Sequence, residues 1–328
     1  MLTAASFPRR RTGFLMLVIV SLVVAGCGED SAGSGSPDDP IKVAVLRQPH
    51  LFHPYFYERF LPGGKKVEIV PFSDSTEIKN AVNTGSADFG VTGITSALQG
   101  AAAKEPFRVI ASAADGGSAI VASPKAGISD VNGLRGKRIG YVPGSAQDIL
   151  LRLTLRQAGI DAEEDVELIK VGFADMPDAL ARGSINAFSG AEIGPSNALS
   201  GGAKLVTRPY ETPMGRINIV LGTGQKLIED QPELVRDVVA AHVKASEYMS
   251  THEEEWADAV AKTYGFKPDV VRAAIDNIDP RSGLGGAYVK QARVLGDQLR
   301  AEKQMRGEPD YETFFDDSFL PKTSGGAR

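Results

Sequence analysis

From residue 41 onwards the sequence repeats one unit: a short apolar run, a turn containing Gly, Ser or Thr, and an amphipathic helix. In the helix predicted over 75–84, Ile78, Ala81 and Val82 share one face. Strands that alternate with helices of this length indicate an α/β fold, here with a largely parallel sheet. At 328 residues the chain exceeds the roughly 250–300 residues beyond which one core stops growing, so we expect two lobes.

The apolar and turn patterns predict most of the individual elements. The predicted strands are 41–46, 66–71, 88–91, 107–114, 118–122, 139–142, 166–171, 187–190, 203–206 and 217–222. The predicted helices are 75–84, one that ends at 103, 147–158, 175–182, 196–199, 231–250, 252–263, 268–278 and 287–305.

Four predicted strands end in Gly, Ser or Thr and lead directly into a helix, at 73–76, 92–95, 144–147 and 190–196. Ligands bind α/β sheets outside the carboxyl ends of the strands, where helix N-termini offer free N–H groups and partial positive charge. Any one of these turns on its own is explained as an ordinary helix cap. Four of them in two lobes predict a cleft for a small polar or anionic ligand.

The N-terminus carries a targeting signal. Arg9, Arg10 and Arg11 precede a 12-residue apolar run over 14–25, which is shorter than the roughly 20 residues of a membrane-spanning helix. Cys27, the only cysteine of the chain, follows two positions after the end of the run, in a Val-Ala-Gly-Cys sequence that resembles the bacterial lipoprotein box. This resemblance implies a signal peptide over 1–26, a lipid on Cys27, a flexible linker over 27–40 and anchoring on the extracytoplasmic face of the cell membrane. Whether export uses the general or the twin-arginine route stays open.

Composition and motifs exclude several classes. A single cysteine excludes a disulfide framework and a Cys-clustered metal site, and a net charge of −5 gives no basic footprint for nucleic acid. His50 and His53 have no third ligand at metal-binding spacing, so we expect no metal and no cofactor. His242 and His252 fall on predicted surface helices. The sequence contains no nucleophile elbow, phosphate-binding loop or dinucleotide fingerprint.

Three stretches carry a resemblance to a known family: VNTGSADFGVTG (82–93), LRGKRIGYVPGSAQDILLRLTLRQAGI (134–160) and ALARGSINAF (179–188). They resemble the substrate-binding proteins of ABC importers, in particular the nitrate/sulfonate/taurine (NitT/TauT-like) group. The similarity runs from about residue 42 to 320. It implies a periplasmic-binding-protein-like (type II) fold, a two-lobed Venus flytrap. Lobe 1 would comprise 41–118 and 216–320, lobe 2 would comprise 119–215, and 321–328 would form a tail.

The resemblance also implies ligand contacts, and the turn pattern adds further candidates. The candidate ligand-binding residues are Gln48, His50, His53, Ser75, Thr92, Thr95, Ser145, Ala146, Gln147, Glu192 and Arg216. The sequence departs from the family after residue 187, where Ala191, Glu192 and Ile193 replace a turn that usually carries an aromatic residue. If two of Glu192, Asp74 and Asp115 line the pocket, a cationic or hydrogen-bond-donating ligand becomes an alternative that competes with an anionic one.

These observations predict a lipid-anchored, monomeric, non-enzymatic solute-binding protein. It would capture a small polar, anionic solute by cleft closure and deliver it to an ABC permease and its ATPase subunit. One alternative is a sensor or scaffold lipoprotein of the same fold. The other is an enzyme of the menaquinone or thiamine-precursor type, which shares this architecture. The identity of the solute stays open.

Overall fold

The computed structural model of the chain describes residues 39–322. The predicted signal peptide, Cys27 and nearly all of the predicted linker lie outside the described residues, as do the last six residues. No helix of the described part is long and apolar enough to cross a membrane.

The described chain runs through three successive segments. The first contains β1 (Ile41–Leu46), β2 (Val67–Phe72), α1 (Ser75–Asn83), β3 (Phe89–Gly93), α2 (Ile94–Ala102) and β4 (Phe107–Gly116). The second contains β5 (Ser118–Ala122), β6 (Arg138–Tyr141), α3 (Ala146–Gln157), β7 (Glu167–Lys170), α4 (Met176–Ala181), β8 (Ala187–Ala191), α5 (Gly194–Ser200) and β9 (Lys204–Thr207). The third contains β10 (Ile217–Gly224), α6 (Gln225–Asp230), α7 (Pro232–Thr251), α8 (Glu253–Tyr264), α9 (Pro268–Ile275), β11 (Ile278–Pro280), α10 (Gly286–Ala301) and α11 (Tyr311–Phe314).

The strands form two sheets, each within its own lobe. Lobe 1 contains a six-stranded sheet in the order β11-β4-β10-β3-β1-β2, built from the first and third segments. Lobe 2 contains a five-stranded sheet in the order β7-β6-β8-β5-β9, built from the second segment. Apolar side chains of the helices cover the sheets, and the largest buried cluster is centred on lobe 1 and also includes Ala146, Ile149, Leu150 and Leu153 of α3 in lobe 2.

The expectation of largely parallel sheets needs correction. Only the β1–β2 and β1–β3 pairs are parallel in lobe 1, and only the β6–β7 and β6–β8 pairs are parallel in lobe 2. The strands β10 and β5 run antiparallel to all their neighbours. Each of these two strands is the first after the chain crosses into its lobe, so it enters the sheet from the crossing and runs against the strand–helix–strand units.

The chain crosses from lobe 1 to lobe 2 at two glycines. Gly116 and Gly117 both have positive φ, at 78° and 71°. A Cβ on Gly116 would lie 2.4 Å from the backbone oxygen of Asn277, so this position requires glycine in both conformation and space.

The structure contains elements that the sequence patterns do not predict. They include α6, β11, α11 and a series of 3₁₀ turns over 49–59 that follow β1. β11 has only three residues and ends in Pro280, which is too short for a periodic signal. The predicted helix 287–305 ends at Ala301.

Candidate functional site

A cleft of about 380 Å³ lies between the two lobes. Lobe 1 lines it with the chain that follows β1 and with the starts of α1 and α2, and lobe 2 lines it with the start of α3 and with Phe173 and Ala191. The structure brings seven of the predicted residues to this cleft: Gln48, His50, Ser75, Thr95, Ser145, Ala146 and Gln147. The volume suits a small solute.

The lobe 1 wall is built at the junction of β3 and α2. The hydroxyl of Ser75 accepts the amide of Gly93 at 3.1 Å, and the hydroxyl of Thr92 donates to the Ser75 carbonyl at 3.0 Å. These bonds fix the two helix starts beside one another. Gly93 is the N-cap of α2 and has no side chain to cap it, so the first amides of α2 stay free, including that of Thr95.

The lobe 2 wall is the first turn of α3. The Ser145 hydroxyl caps this helix by accepting the Asp148 amide at 3.2 Å, and it donates to the Val142 carbonyl at 2.7 Å. That hydroxyl is therefore engaged within the lobe, while the preceding amides of Ala146 and Gln147 have no partner within the helix. The Gln147 side chain donates to the Ser118 hydroxyl at 2.9 Å, beside the lobe crossing.

The cleft contains almost no formal charge. Within the described residues, no Lys or Arg lines it, and Asp74 is its one carboxylate. Asp74 caps α1 by accepting the amides of Thr76 at 2.7 Å and Glu77 at 2.9 Å. Burial lowers the pKa of His50 to about 3, so that side chain is neutral at physiological pH. The cleft is thus lined by neutral hydrogen-bonding groups and two open helix starts.

Three cleft residues carry no sequence signal that could have found them. Gln99 lies within α2, Asn218 lies on β10 and Phe173 lies in the turn before α4. Asn218 donates to the Gly116 carbonyl at 2.7 Å. Phe173 gives the cleft an aromatic side chain from lobe 2, although the turn after β8 carries none.

Thr92 and His53, both predicted ligand contacts, do not reach the cleft. Thr92 is fully buried because its hydroxyl turns inward to bond the Ser75 carbonyl. His53 is fully buried beneath the cleft, and its ring centre lies 4.7 Å from that of His242. The first turn after β1 directs Gln48 and His50 to the cleft and directs His53 into the core of lobe 1.

Glu192 and Arg216 also lie outside the cleft. Glu192 is buried behind it and accepts hydrogen bonds from the Ser196 amide at 3.1 Å and the Asn277 side chain at 3.2 Å. Arg216 pairs with Asp279 at 2.8 Å on another surface. Asp115 pairs with Arg281 at 2.8 Å and is likewise outside. Of the three candidate pocket acids only Asp74 remains, so the case for a cationic ligand weakens.

His242 is not the surface residue that the sequence predicted. It is fully buried, its Nδ1 lies 2.8 Å from the Tyr57 hydroxyl, and its Nε2 lies 2.7 Å from the Ser112 carbonyl. Burial lowers its pKa to about 4. Within residues 39–322 no group of three His, Cys, Asp or Glu side chains could hold a metal ion.

Comparisons with known proteins agree with this architecture. The family model described as NMT1/THI5 like matches residues 60–256. A relative in Bacillus subtilis (strain 168), whose name refers to binding of aliphatic sulfonates, is 26% identical over 331 residues, covering 96% of this chain and 99% of the relative.

Solved structures are also similar to this chain. The alkanesulfonate-binding protein of Xanthomonas axonopodis pv. citri, bound to MOPS, has a TM-score of 0.74 at 19% identity, covering 86% of this chain and 99% of that one. The periplasmic nitrate-binding protein of Synechocystis PCC 6803 has a TM-score of 0.71 at 12% identity, covering 85% and 86%. These similarities show the fold and confirm the α/β, two-lobed architecture expected from the sequence.

Proposed function

This chain belongs to the NMT1/THI5-like family, and from that premise we propose that it is the solute-binding component of an ABC importer, specific for a small organic anion of the sulfonate, taurine or nitrate type. The observation that carries the proposal is the interlobe cleft, where the open starts of α2 and α3 face one volume of about 380 Å³. The relative in Bacillus subtilis supports the choice of solute class, since its name refers to aliphatic sulfonates.

The chemistry of the cleft favours an anion. Free amides at the starts of two helices donate hydrogen bonds and supply partial positive charge to acidic oxygens. Thr95 of lobe 1 and the Gln147 amide of lobe 2 lie on opposite walls, so an anion held by both bridges the lobes. Phe173 offers an apolar surface for the carbon part of the solute.

Transport follows from closure of the cleft. A solute that contacts both lobes binds the closed arrangement better than the open one and shifts the equilibrium towards it. The permease and its ATPase subunit then receive the closed, loaded form. The named relative and the two named structures are binding proteins, and we assign this chain no catalytic step.

We also propose that the protein works as a monomer held on the extracytoplasmic face of the cell membrane by a lipid on Cys27. The support is the position of the sole cysteine directly after the apolar run. Replacing Cys27 with Ser should release the protein from the membrane fraction and abolish incorporation of a radiolabelled fatty acid. Retention of the variant in the membrane would contradict the anchor.

Two threonines provide the test of the site. Thr95 lines the cleft, and the described residues give its hydroxyl no hydrogen-bond partner, whereas Thr92 lies three positions earlier and bonds within lobe 1. A panel of alkanesulfonates, taurine, nitrate and carboxylates should first identify the solute by calorimetry with the wild-type chain. Thr95→Val should then weaken binding about tenfold and leave unfolding unchanged, because it removes one donor to an anion.

Thr92→Val is the matched control. It should lower the free energy of unfolding by about 1 kcal/mol, because it removes a buried hydrogen bond, and change the dissociation constant far less than Thr95→Val. Wild-type affinity in Thr95→Val would overturn the site. Binding of neutral or cationic compounds alone would overturn the solute class. Binding without transport by a co-expressed permease would favour the sensor alternative.

A further inference from the structure

The lobes of this protein also meet at a place through which no chain crossing passes. There α3 of lobe 2 contacts the end of α10 in lobe 1 through a group of side chains that we call the clasp. The clasp consists of Asp148, Arg152 and Arg156 from lobe 2 and Glu302 and Gln304 from lobe 1.

Glu302 accepts hydrogen bonds from both arginines of the clasp. Its Oε2 lies 3.4 Å from Nη1 of Arg152, and its Oε1 accepts a hydrogen bond from Nη2 of Arg156. The neighbouring Gln304 donates to Oδ2 of Asp148 at 2.6 Å. Every one of these bonds joins the two lobes, so none of them survives if the lobes separate.

The charged side chains of the clasp are largely shielded from solvent, so the attraction between them is only partly screened. The side chains of Arg152 and Glu302 are 11% and 15% exposed, and that of Asp148 is fully buried. Arg152 also holds two carboxylates of its own lobe, Asp148 at 2.8 Å and Glu163 at 2.6 Å. Glu302 is therefore the third carboxylate on Arg152 and the one that the other lobe supplies.

The clasp is connected to the rim of the cleft. Asp148 accepts the amide of Gly144 at 3.0 Å, and the Gln99 side chain donates to the backbone oxygen of Gln304 at 3.0 Å. Gly144 and Gln99 both line the cleft, from lobe 2 and lobe 1 respectively. A displacement of α3 away from lobe 1 would therefore break the clasp and widen the cleft together.

We propose that Glu302 is a positioning residue that tightens solute binding without touching the solute, by holding the lobes together through Arg152 and Arg156. The inference rests on the proposed function, because it needs a solute that is bound between the lobes. Contacts formed only in the closed state raise its population, and apparent affinity rises with the population of the state that holds the solute.

The test compares two carboxylates that share Arg152. Glu302→Gln removes the interlobe charge while keeping the size of the side chain, and Glu163→Gln removes a charge within lobe 2. With the solute identified by the panel, Glu302→Gln should weaken binding about fivefold to tenfold. Glu163→Gln should bind as the wild type does. Equal dissociation constants for the three proteins would overturn the proposal.

Ionic strength separates an electrostatic clasp from a packing defect. Salt screens the clasp of the wild type, whereas the variant has already lost the charge of Glu302, so the ratio of their dissociation constants should shrink as NaCl rises from 0.05 to about 1 M. A ratio that stays constant would mean that Glu302 acts through packing alone and would also overturn the proposal.

A second measurement works without any solute. Small-angle X-ray scattering of the full chain carrying Cys27→Ser should give a larger radius of gyration for Glu302→Gln than for Glu163→Gln at low salt. If no solute in the panel binds, the proposed function fails and this comparison alone decides the clasp. In that case, equal radii overturn it.

Discussion

The lobes are joined in two ways that differ in chemistry, by the clasp and by a buried hinge network of Ser118, Glu192, Tyr210 and Asn277. In the hinge network Asn277 donates to the Ser118 carbonyl at 3.1 Å and to Glu192 at 3.2 Å, and the Tyr210 hydroxyl accepts the Ser118 amide at 2.8 Å. Asn277 and Ser118 are each 1% exposed. The clasp instead uses arginine–carboxylate pairs near the surface.

The two connections differ in what a separation of the lobes would break. The hinge network is buried beside a chain crossing, so its hydrogen bonds are shielded from salt. Under the proposed function, the clasp is the connection that would break when the lobes separate, because no chain crossing lies within it. Both reach the first turn of α3, where Gln147 bonds the hinge residue Ser118 and the adjacent Asp148 bonds the clasp residue Gln304. This turn is also the lobe 2 wall of the cleft.

Asn277→Leu should have the largest effect on stability. Loss of the amide leaves Glu192, Tyr210 and the Ser118 carbonyl buried with fewer partners, so we expect a loss of about 3 kcal/mol in the free energy of unfolding, measured with urea. Asn197→Leu, at an exposed position of α5, is the control and should change little. A loss below about 1 kcal/mol in Asn277→Leu would mean that the hinge network contributes little to the stability of the protein at the chain crossings.

Acid should destabilise the buried cluster of His50, His53 and His242, which lies beside the lobe crossing at Gly117. A Cβ on Gly117 would lie 3.3 Å from His50, and His53 and His242 pack beneath. Burial lowers the pKa of His53 well below its usual value, and the nearby His242 and His50 lower it further. Below about pH 6.5 the histidines of the unfolded chain take up protons, whereas burial lowers the pKa of folded His50 to about 3 and that of folded His242 to about 4. The free energy of unfolding that these histidines contribute therefore decreases as the pH falls below about 6.5.

His53→Leu tests this pH dependence. Below about pH 6.5, each histidine that stays neutral in the folded protein contributes up to about 1.4 kcal/mol of destabilisation per pH unit, so the variant should lose less stability on acidification than the wild type. Urea unfolding at pH 7, 6 and 5 measures the slopes, and His252→Leu serves as the exposed control. Parallel pH profiles for wild type and His53→Leu would exclude His53 as a source of acid sensitivity.

Arg156→Gln should have the smallest effect on the free energy of unfolding, but it should still change solute binding in the cleft. The Arg156 side chain is 57% exposed, so its removal should cost less than about 1 kcal/mol in unfolding, and that cost should vanish at high salt. Its effect on solute binding should follow that of Glu302→Gln and be partly non-additive with it in the double variant, because both variants lose the Arg156–Glu302 pair, although Glu302→Gln also weakens the contact with Arg152 and Arg156→Gln also loses a hydrogen bond to Gln298 at 3.1 Å. Additive effects would show that Arg156 and Glu302 act separately.

Local patterns sufficed for most elements because each depends on nearby residues. The strands β1 and β5 have the predicted bounds, and both ends of helix α7 lie one residue from their predicted positions. The cap residues Asp74 and Ser145 act through amides two or three positions away, so the sequence displays them directly. Strand direction escaped prediction, because the antiparallel course of β10 and β5 depends on where the chain crosses between lobes.

The sequence by itself determined that the chain forms two α/β lobes and that polar turns lie where strands lead into helices. Only the tertiary structure decided which polar residues face the solute. Thr92 and Thr95 are three positions apart, yet Thr92 on β3 bonds inward and Thr95 in the first turn of α2 lines the cleft, because the chain changes from strand to helix between them, at Gly93. The clasp joins residues about 150 positions apart. No local pattern encodes such a contact, because it exists only where two separately folded lobes meet.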